Sequence, residues 1–315
     1  TAVSPAARRV AEPAGLDALL ASKEMVLVCG SGGVGKTTTA AALGLQAAAV
    51  LGGRVLVLTV DPARRLADAL GLGGAGVGNA EVRVDADALP TRLRGELWMA
   101  MLDTKASWDD LVRRHAPDAA TREAILGNPL YRNITSRFVH SHEYIAMERL
   151  HELHASGRYD LVIVDTPPSR HALDILDAPA RMMDFFGSRL LRWLTAPSRS
   201  RVLTAASKPF YQVADRILGS NFLKDVAEFF VLFQRMESGF VKRAQETEAM
   251  LSDARTTFVV VTTLEAAPVT EARYLIDELR RRSLPLGAAV VNRVLPDSLR
   301  SLDARAAAGR LVEES

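Results

Sequence analysis

The fold of this chain is decided by one octapeptide, Gly30-Ser31-Gly32-Gly33-Val34-Gly35-Lys36-Thr37. It fits the pattern G-x-x-x-x-G-K-[ST], and it lies between an apolar run at 25–29 and an Ala-rich, uncharged segment at 37–53. An apolar strand before the pattern and a helix after it are the context that this pattern requires. The glycines let backbone N–H groups turn inward, and the helix N-terminus adds donors and a favourable dipole for anions. The octapeptide therefore predicts a phosphate-binding loop.

The last two residues of the octapeptide predict the kind of phosphate compound. A lysine in this position neutralises the β and γ phosphates of a nucleotide, and the hydroxyl that follows it binds Mg²⁺. We therefore expect Lys36 and Thr37 to hold a Mg-nucleotide. The alternative is a Gly-rich turn with a chance Lys-Thr, and the flanking strand and helix argue against it.

Six short apolar runs predict buried strands, and helical patterns separate them. This alternation is typical of a sheet with helices on both faces, so the predicted fold class is α/β, with a doubly wound, mostly parallel sheet. The runs lie at 25–29, 54–60, 97–102, 159–165, 257–262 and 286–292.

The spacing of these runs predicts the domain organisation. Residues 1–22 are rich in Ala and Pro and predict a flexible N-terminal tail that leads into a short helix at 16–21. Residues 23–315 predict one P-loop domain. The intervals before and after the fourth run are long and carry helical patterns, so we expect a large helical subdomain from insertions at about 104–157 and 172–254.

Two aspartates end predicted strands, at the edge of the sheet where ligands bind in such folds. Asp165 directly follows an apolar run, which is where P-loop proteins place the carboxylate that holds Mg²⁺ through water. Asp61 ends another apolar run, where we expect it to orient an attacking water. A single aspartate at a strand end is more often a helix N-cap. Because two of them flank one phosphate loop, we predict that Asp61 is catalytic and that Asp165 belongs to the metal site.

The segment Asn292-Arg293-Val294-Leu295 bears on the choice of base. Guanine-specific P-loop proteins commonly carry Asn-Lys-x-Asp after a late strand, and that aspartate binds the guanine edge. Here leucine stands where the aspartate belongs. Adenine is therefore favoured, and the expected cofactors are ATP and Mg²⁺.

Composition excludes other classes of protein. A net charge of +2 over 315 residues gives no bulk attraction for nucleic acid or a membrane. Cys29 is the single cysteine, which excludes a disulfide framework and an internal site of paired cysteines and fits a reducing compartment. We therefore expect a cytoplasmic protein that binds no nucleic acid and contacts membranes only indirectly.

Together these motifs resemble the arsenite-pump and tail-anchored-protein-targeting ATPase family, part of the deviant Walker A group, over about 23–296. The family's G-K-G-G-V-G-K-T-T is matched by residues 30–38, which end in Lys36-Thr37-Thr38. Its two switches, D-P-A-H-x-L-x-D and D-T-A-P-T-G-H, are matched by Asp61-Pro62-Ala63-Arg64-Arg65-Leu66-Ala67-Asp68 and by Asp165-Thr166-Pro167-Pro168-Ser169-Arg170-His171.

The resemblance implies an ATPase that uses Mg-ATP as a conformational switch, works as a dimer and handles a protein client in its helical subdomain. It implies that residues 30–38 bind the nucleotide, that Asp61 acts in hydrolysis and that Asn292 contacts adenine. The implied switch residues are Asp61, Pro62, Asp68, Asp165, Thr166, Pro167, Pro168 and His171.

Three departures from the family pattern change these expectations. Ser31 replaces the signature lysine that reaches the phosphates of the other subunit, so a heterodimer with a lysine-bearing paralogue is favoured over a homodimer. The cysteines that bind arsenite, or zinc at the dimer interface, are absent, which argues against an arsenite pump subunit. The sequence stops soon after Asn292, so we expect the C-terminal part of the family fold to be missing.

Eight of the ten phenylalanines lie between 185 and 240. Such side chains suit an adaptable groove for an apolar client helix, but a helical domain also needs a core, and both interpretations stay open. Histidines and glutamates between 140 and 154 do not share one helical face, so no metal besides Mg²⁺ is predicted.

Two further functions compete with a client-handling ATPase. A partitioning or division-site ATPase shares the fold, but such proteins lack a large helical insertion and usually carry a basic or amphipathic tail that this sequence does not show. A regulatory subunit that binds ATP and barely turns it over fits the serine at position 31. Hydrolysis measured with and without a partner separates this subunit from the client-handling ATPase.

Overall fold

The structure is a computed structural model that describes residues 15–60, 79–89, 91–131, 141–167 and 220–295, with 177–178, 180–181 and 184. Its centre is a seven-stranded sheet. The strands are β1 (Met25–Gly30), β2 (Arg54–Thr59), β3 (Val82–Arg83), β4 (Glu96–Met101), β5 (Leu161–Asp165), β6 (Thr256–Thr262) and β7 (Leu286–Val291). Their order in the sheet is β3-β4-β2-β5-β1-β6-β7. Every neighbouring pair is parallel except β3 with β4.

Eight α-helices have assigned bounds in the described part of the chain, and residues 129–131, 177–178, 180–181 and 184 are helical as well. The eight are α1 (Gly15–Ala21), α2 (Lys36–Val50), α3 (Thr104–His115), α4 (Ala119–Gly127), α5 (Ser141–Ala155), α6 (Ser220–Gln234), α7 (Glu237–Ser252) and α8 (Ala266–Arg281). Aspartates begin two of them, because Asp103 accepts from the N–H of Ala106 and Asp118 accepts from the N–H of Thr121.

Alternate residues of the strands fill two cores, one on each face of the sheet. On one face, Val26 and Val28 of β1 pack with the alanines of α2, whose small side chains let the helix lie close to the sheet. On the other face, Leu27 packs in a larger core that includes side chains of α3, α5 and α7. Because helices cover both faces, strands such as β1 and β6 are buried along their whole length.

Five rings form an aromatic cluster in the larger core. The ring centroids of Phe233 and Phe240 are 5.0 Å apart, those of Tyr144 and Phe240 are 5.5 Å apart, and those of Trp108 and Tyr144 are 5.8 Å apart. Phe229 stacks on Phe233 at 5.2 Å. All five residues are buried, so three of the eight clustered phenylalanines belong to a core and not to a groove.

The predicted fold class is confirmed. All six predicted strands are present with ends shifted by a few residues at most, and the short helix predicted at 16–21 is α1. The sequence does not predict β3, because two residues are too few to show a period. Among the described residues, no helix combines the length and the apolar character needed to cross a membrane.

Candidate nucleotide-binding site

The octapeptide runs from the last residue of β1 into the first turn of α2, and β1 is an inner strand of the sheet. β5 and β6 flank β1, and β2 pairs with the other side of β5. Because these strands are parallel, their carboxyl ends open at one edge of the sheet. Thr37 and Asp165 are therefore in contact although 128 positions separate them in the sequence.

Two glycines allow the loop to take its path. Gly30 has φ +154°, and a Cβ there would lie 2.2 Å from the carbonyl oxygen of Val261 in β6. Gly35 has φ +96°, and a Cβ there would lie 2.2 Å from Nδ2 of Asn292. A larger residue at either position would clash and would also strain the backbone. Glycine is therefore favoured at positions 30 and 35 by the neighbouring strand and side chain as well as by the backbone conformation.

Lys36 is the first residue of α2, and its side chain turns back over the loop. Its Nζ donates to the carbonyl oxygen of Ser31 at 2.9 Å, and the residue is 7% exposed. The N-cap of α2 is Gly35, and no side chain caps this helix within the described residues. A buried ammonium group therefore lies beside the first N–H groups of a helix, which is an arrangement that fits a polyphosphate.

Asp165 ends β5 beside the loop and is 1% exposed. Thr37 donates from Oγ1 to Asp165 Oδ2 at 2.7 Å, and Thr59, at the end of β2, donates to the same oxygen at 3.1 Å. These hydroxyl donors offset part of the unfavourable burial of a carboxylate. A hydroxyl and a carboxylate in contact are oxygen ligands of the type that Mg²⁺ prefers. The structure thus brings the two predicted metal residues together.

The second predicted switch begins inside the core. Thr166 is 1% exposed and donates from Oγ1 to the carbonyl oxygen of Val28 at 2.9 Å. The N–H of Val60 donates to the carbonyl oxygen of Asp165 at 3.0 Å. Burial raises the pKa of the Cys29 thiol to about 11, so this thiol stays protonated at neutral pH. The hydrogen bonds of Thr166 with Val28 and of Val60 with Asp165 join the ends of β1, β2 and β5 behind the loop.

Asn292 follows β7 and reaches the loop across β6. Its Nδ2 donates to the carbonyl oxygen of Val34 at 2.8 Å. The sequence predicts an adenine contact for Asn292 and does not predict this contact with the loop, because the two residues are 258 positions apart.

Pro167, a predicted switch residue, directly follows Thr166 and is half-buried. Ser31 has a buried hydroxyl with no hydrogen-bond partner among the described residues. Gly32 and Gly33 are exposed in the loop, and Thr38 is exposed in the first turn of α2. Five predicted switch residues lie outside the described residues: Asp61, Pro62, Asp68, Pro168 and His171.

Sequence reasoning missed Thr59. The signal for it is a hydroxyl residue at the end of the apolar run at 55–58, which is the position next to Asp165 once β2 and β5 pair. A period-two pattern does not tell which strands are neighbours, so this signal becomes useful only when the strand order is known.

A second polar region lies between α3 and α5 and is remote in sequence from the loop. It encloses a cavity of about 350 Å³. Arg243 donates to Glu148 at 2.7 Å, and Arg149 donates to Glu81 at 2.8 Å, so the buried arginines of this cavity are paired with carboxylates. His115 is exposed at the edge of this cavity, and partial desolvation together with the charges of Arg243 and Arg114 lowers its pKa from its ordinary value.

Two histidines of α5 contact separate carboxylates. His151 lies 3.2 Å from Glu246, and His154 lies 3.0 Å from Glu24. Among the residues that the structure describes, no three His, Cys, Asp or Glu side chains are arranged to hold a metal ion.

Comparison with known proteins confirms the family that the motifs resemble. Residues 23–312 match the family model described as anion-transporting ATPase. An ATPase get3 of Aspergillus terreus is 28% identical over 275 residues, which cover 86% of this chain and 73% of the relative. An ATPase GET3 of Malassezia globosa is 26% identical over 302 residues, covering 90% and 77%. A putative arsenical pump-driving ATPase 2 of Aquifex aeolicus is 24% identical over 278 residues, covering 85% and 79%.

Proposed function

Because the chain belongs to the family of anion-transporting ATPases and is an ATPase, we propose that it binds and hydrolyses Mg-ATP as a conformational switch. The observation that carries the proposal is the contact of Thr37 Oγ1 with Asp165 Oδ2 at 2.7 Å, next to the buried ammonium group of Lys36. A hydroxyl, a carboxylate and an ammonium group at the N-terminus of one helix are what a Mg-polyphosphate requires.

The proposed binding roles follow from these positions. Backbone N–H groups of residues 30–38 and the Lys36 side chain hold the phosphates. Thr37 binds Mg²⁺ directly and Asp165 binds it through water, and the ion neutralises charge that develops on the phosphates during hydrolysis. Asn292 lies on the side of the loop where the base is proposed to bind.

Hydrolysis is assigned to the first switch. Asp61 directly follows Val60, whose N–H is bonded to the carbonyl oxygen of Asp165, and we propose that Asp61 orients the attacking water. Residues 61–68 and 165–171 are the proposed switches. A shift in one is expected to reach the other through the bond between Val60 and Asp165.

We propose that the chain works in a dimer, and that its partner is a paralogue with a lysine at the position of Ser31. Ser31 carries no charge, and its carbonyl oxygen accepts a hydrogen bond from the chain's own Lys36. A cation supplied across a dimer contributes about 10³–10⁵ in rate, judged from arginine fingers. A homodimer of this chain lacks that cation in both sites, whereas a lysine-bearing partner completes the site of this chain.

The test is single-turnover hydrolysis of Mg-ATP by the purified chain, alone and with the partner recovered by co-purification. The phosphate-loop lysine is replaced in each subunit separately. Fast turnover should be lost in Lys36→Ala and not in the matching variant of the partner. The reason is that the ATP site of the partner faces Ser31, which supplies no cation, so that site contributes little to fast turnover.

Two outcomes contradict the heterodimer. In one, fast turnover is lost when the phosphate-loop lysine of the partner is replaced and not when Lys36 is replaced. In the other, a homodimer of this chain hydrolyses ATP at the full rate. If the chain binds ATP and barely turns it over even in the pair, the regulatory-subunit function replaces the ATP-driven switch.

We also propose that the helical segments handle an apolar protein client in the cytoplasm. Phe229, Phe233 and Phe240 do not form its binding surface, because they are buried in the aromatic cluster. Of the other five, Phe230 is half-buried and packs edge-on against Phe229 at 5.2 Å. The candidates for that surface are the phenylalanines at 185, 186, 210 and 222, whose side chains lie outside the described residues.

A further inference from the structure

Asn292 lies at the end of β7, two strands away from the strand that leads into the phosphate loop. Its backbone N–H donates to the carbonyl oxygen of Thr262 at 2.7 Å, which fixes the residue to the end of the fully buried β6. From that position, Nδ2 donates to the carbonyl oxygen of Val34 at 2.8 Å. The side chain therefore links two strands to the middle of the loop.

The amide of Asn292 is held in one orientation. Its Oδ1 accepts the N–H of Arg293 at 2.8 Å. Arg293 has φ +54°, a left-handed conformation that residues with a Cβ rarely adopt and that is often found at functional sites. A flip of the amide would bring Oδ1 against the Val34 carbonyl and Nδ2 against the Arg293 N–H, so both bonds would be lost.

Gly35 makes room for this contact. A Cβ there would lie 2.2 Å from Nδ2, so a side chain at position 35 would displace the Asn292 amide, and the φ of +96° favours glycine independently. Val34 is 2% exposed, so water has little access to replace a lost bond to its carbonyl oxygen.

A trans peptide couples this bond to the interior of the loop. The carbonyl group of Val34 and the N–H of Gly35 belong to one planar unit and point in opposite directions. With the carbonyl oxygen bound to Asn292, the N–H of Gly35 points away from Asn292, on the side where a phosphate is proposed to bind. Loss of the bond allows that peptide plane to rotate.

We infer that Asn292 is a positioning residue for the phosphate loop and raises the affinity of the site for phosphate groups whatever the base. The inference rests on the proposed function and extends it, because an adenine contact alone would not affect a ligand that has no base. The two roles are compatible. An asparagine amide has a second N–H and a second lone pair, which suit the N7 and N6 positions of adenine.

The experiment measures the dissociation constants of Mg-ATP, Mg-GTP and Mg-tripolyphosphate by calorimetry for the wild type and for Asn292→Ala. Loss of one hydrogen bond to a buried carbonyl predicts about tenfold weaker binding of all three ligands, tripolyphosphate included. Asn292→Asp preserves the size of the side chain and the acceptor for Arg293, but it faces Val34 with an oxygen. Asn292→Asp should weaken the binding of tripolyphosphate at least as much as Asn292→Ala does.

Thr257→Val is the matched control, because Thr257 makes the same kind of bond at the other end of the same strand pair, from Oγ1 to the carbonyl oxygen of Pro285 at 3.1 Å. It should lower the melting temperature without changing tripolyphosphate affinity. Unchanged tripolyphosphate binding by Asn292→Ala overturns the inference whatever the aspartate variant does, because the charge of an aspartate repels phosphate in any case. An equal loss of affinity in Thr257→Val overturns the inference too. A wild type that binds neither ATP nor tripolyphosphate overturns the proposed function as well.

Discussion

The phosphate loop and the helical layer formed by α3, α5 and α7 are stabilised by different kinds of contact. At the loop, the side chains of Lys36 and Asn292 both bond to backbone carbonyl oxygens. In the helical layer, side chains bond to side chains, as Arg243 does with Glu148 at 2.7 Å, and rings pack on rings. The loop depends on backbone conformation that only a few residue types permit, whereas the layer depends on volume and pairing that many residue types supply.

This contrast predicts which changes affect ligand binding and which affect stability. Changes to the polar side chains proposed to bind the nucleotide should alter nucleotide binding or turnover with little effect on folding. Changes in the helical layer should alter the free energy of unfolding with little effect on nucleotide affinity.

The largest effect is expected for Lys36→Ala. Backbone donors alone leave the charge of the phosphates poorly balanced, so binding of Mg-ATP should fall below detection in calorimetry. The free energy of unfolding should change little. Unchanged affinity would mean that the octapeptide is not the phosphate site.

A second variant at the proposed nucleotide site, Asp61→Asn, should affect hydrolysis and not binding. It should retain the affinity for Mg-ATP and slow hydrolysis by about two orders of magnitude or more, because the carboxylate that orients water is lost. Equal single-turnover rates in the variant and the wild type would assign that role to another residue, such as Asp68 or Asp165.

An intermediate effect is expected for Phe240→Ala, in the aromatic cluster. Phe240 is 0% exposed, so the cavity left by its ring should lower the free energy of unfolding by about 3–5 kcal/mol in urea titrations. Nucleotide affinity should change by less than about twofold, as for sites without shared contacts. Tyr274→Ala is the control, because Tyr274 is 50% exposed on α8 and its loss should cost less than about 0.5 kcal/mol. A large loss of affinity in Phe240→Ala would show that the two regions are coupled.

The smallest effect is expected in hydrogen exchange across residues 180–240, compared between ADP and a non-hydrolysable ATP analogue. If the switches move helices that carry a client surface, exchange in this segment should differ between the two states. Identical exchange would favour a plain core over a client surface.

Much of the fold could be predicted from the sequence, because strands buried on both faces are continuous apolar runs that need no knowledge of their neighbours. The run at 257–262 corresponds to β6, which is buried at every position. β3 could not be predicted in this way, since Val82 and Arg83 form a strand only because they pair with Met99 and Trp98. The phenylalanines were ambiguous for a similar reason: helical spacing does not tell whether a face meets a core or a client.

The α/β fold class and the prediction of a phosphate loop with Lys36 and Thr37 came from the sequence, because each depends on residues that are adjacent or regularly spaced. Which distant side chains meet became known only from the arrangement of the strands. It placed Thr59 and Thr37 on one oxygen of Asp165, and it placed Asn292 on the carbonyl oxygen of Val34. The physical reason is that strand order sets these contacts, and the order β2-β5-β1-β6-β7 follows from how the whole chain buries its apolar surface.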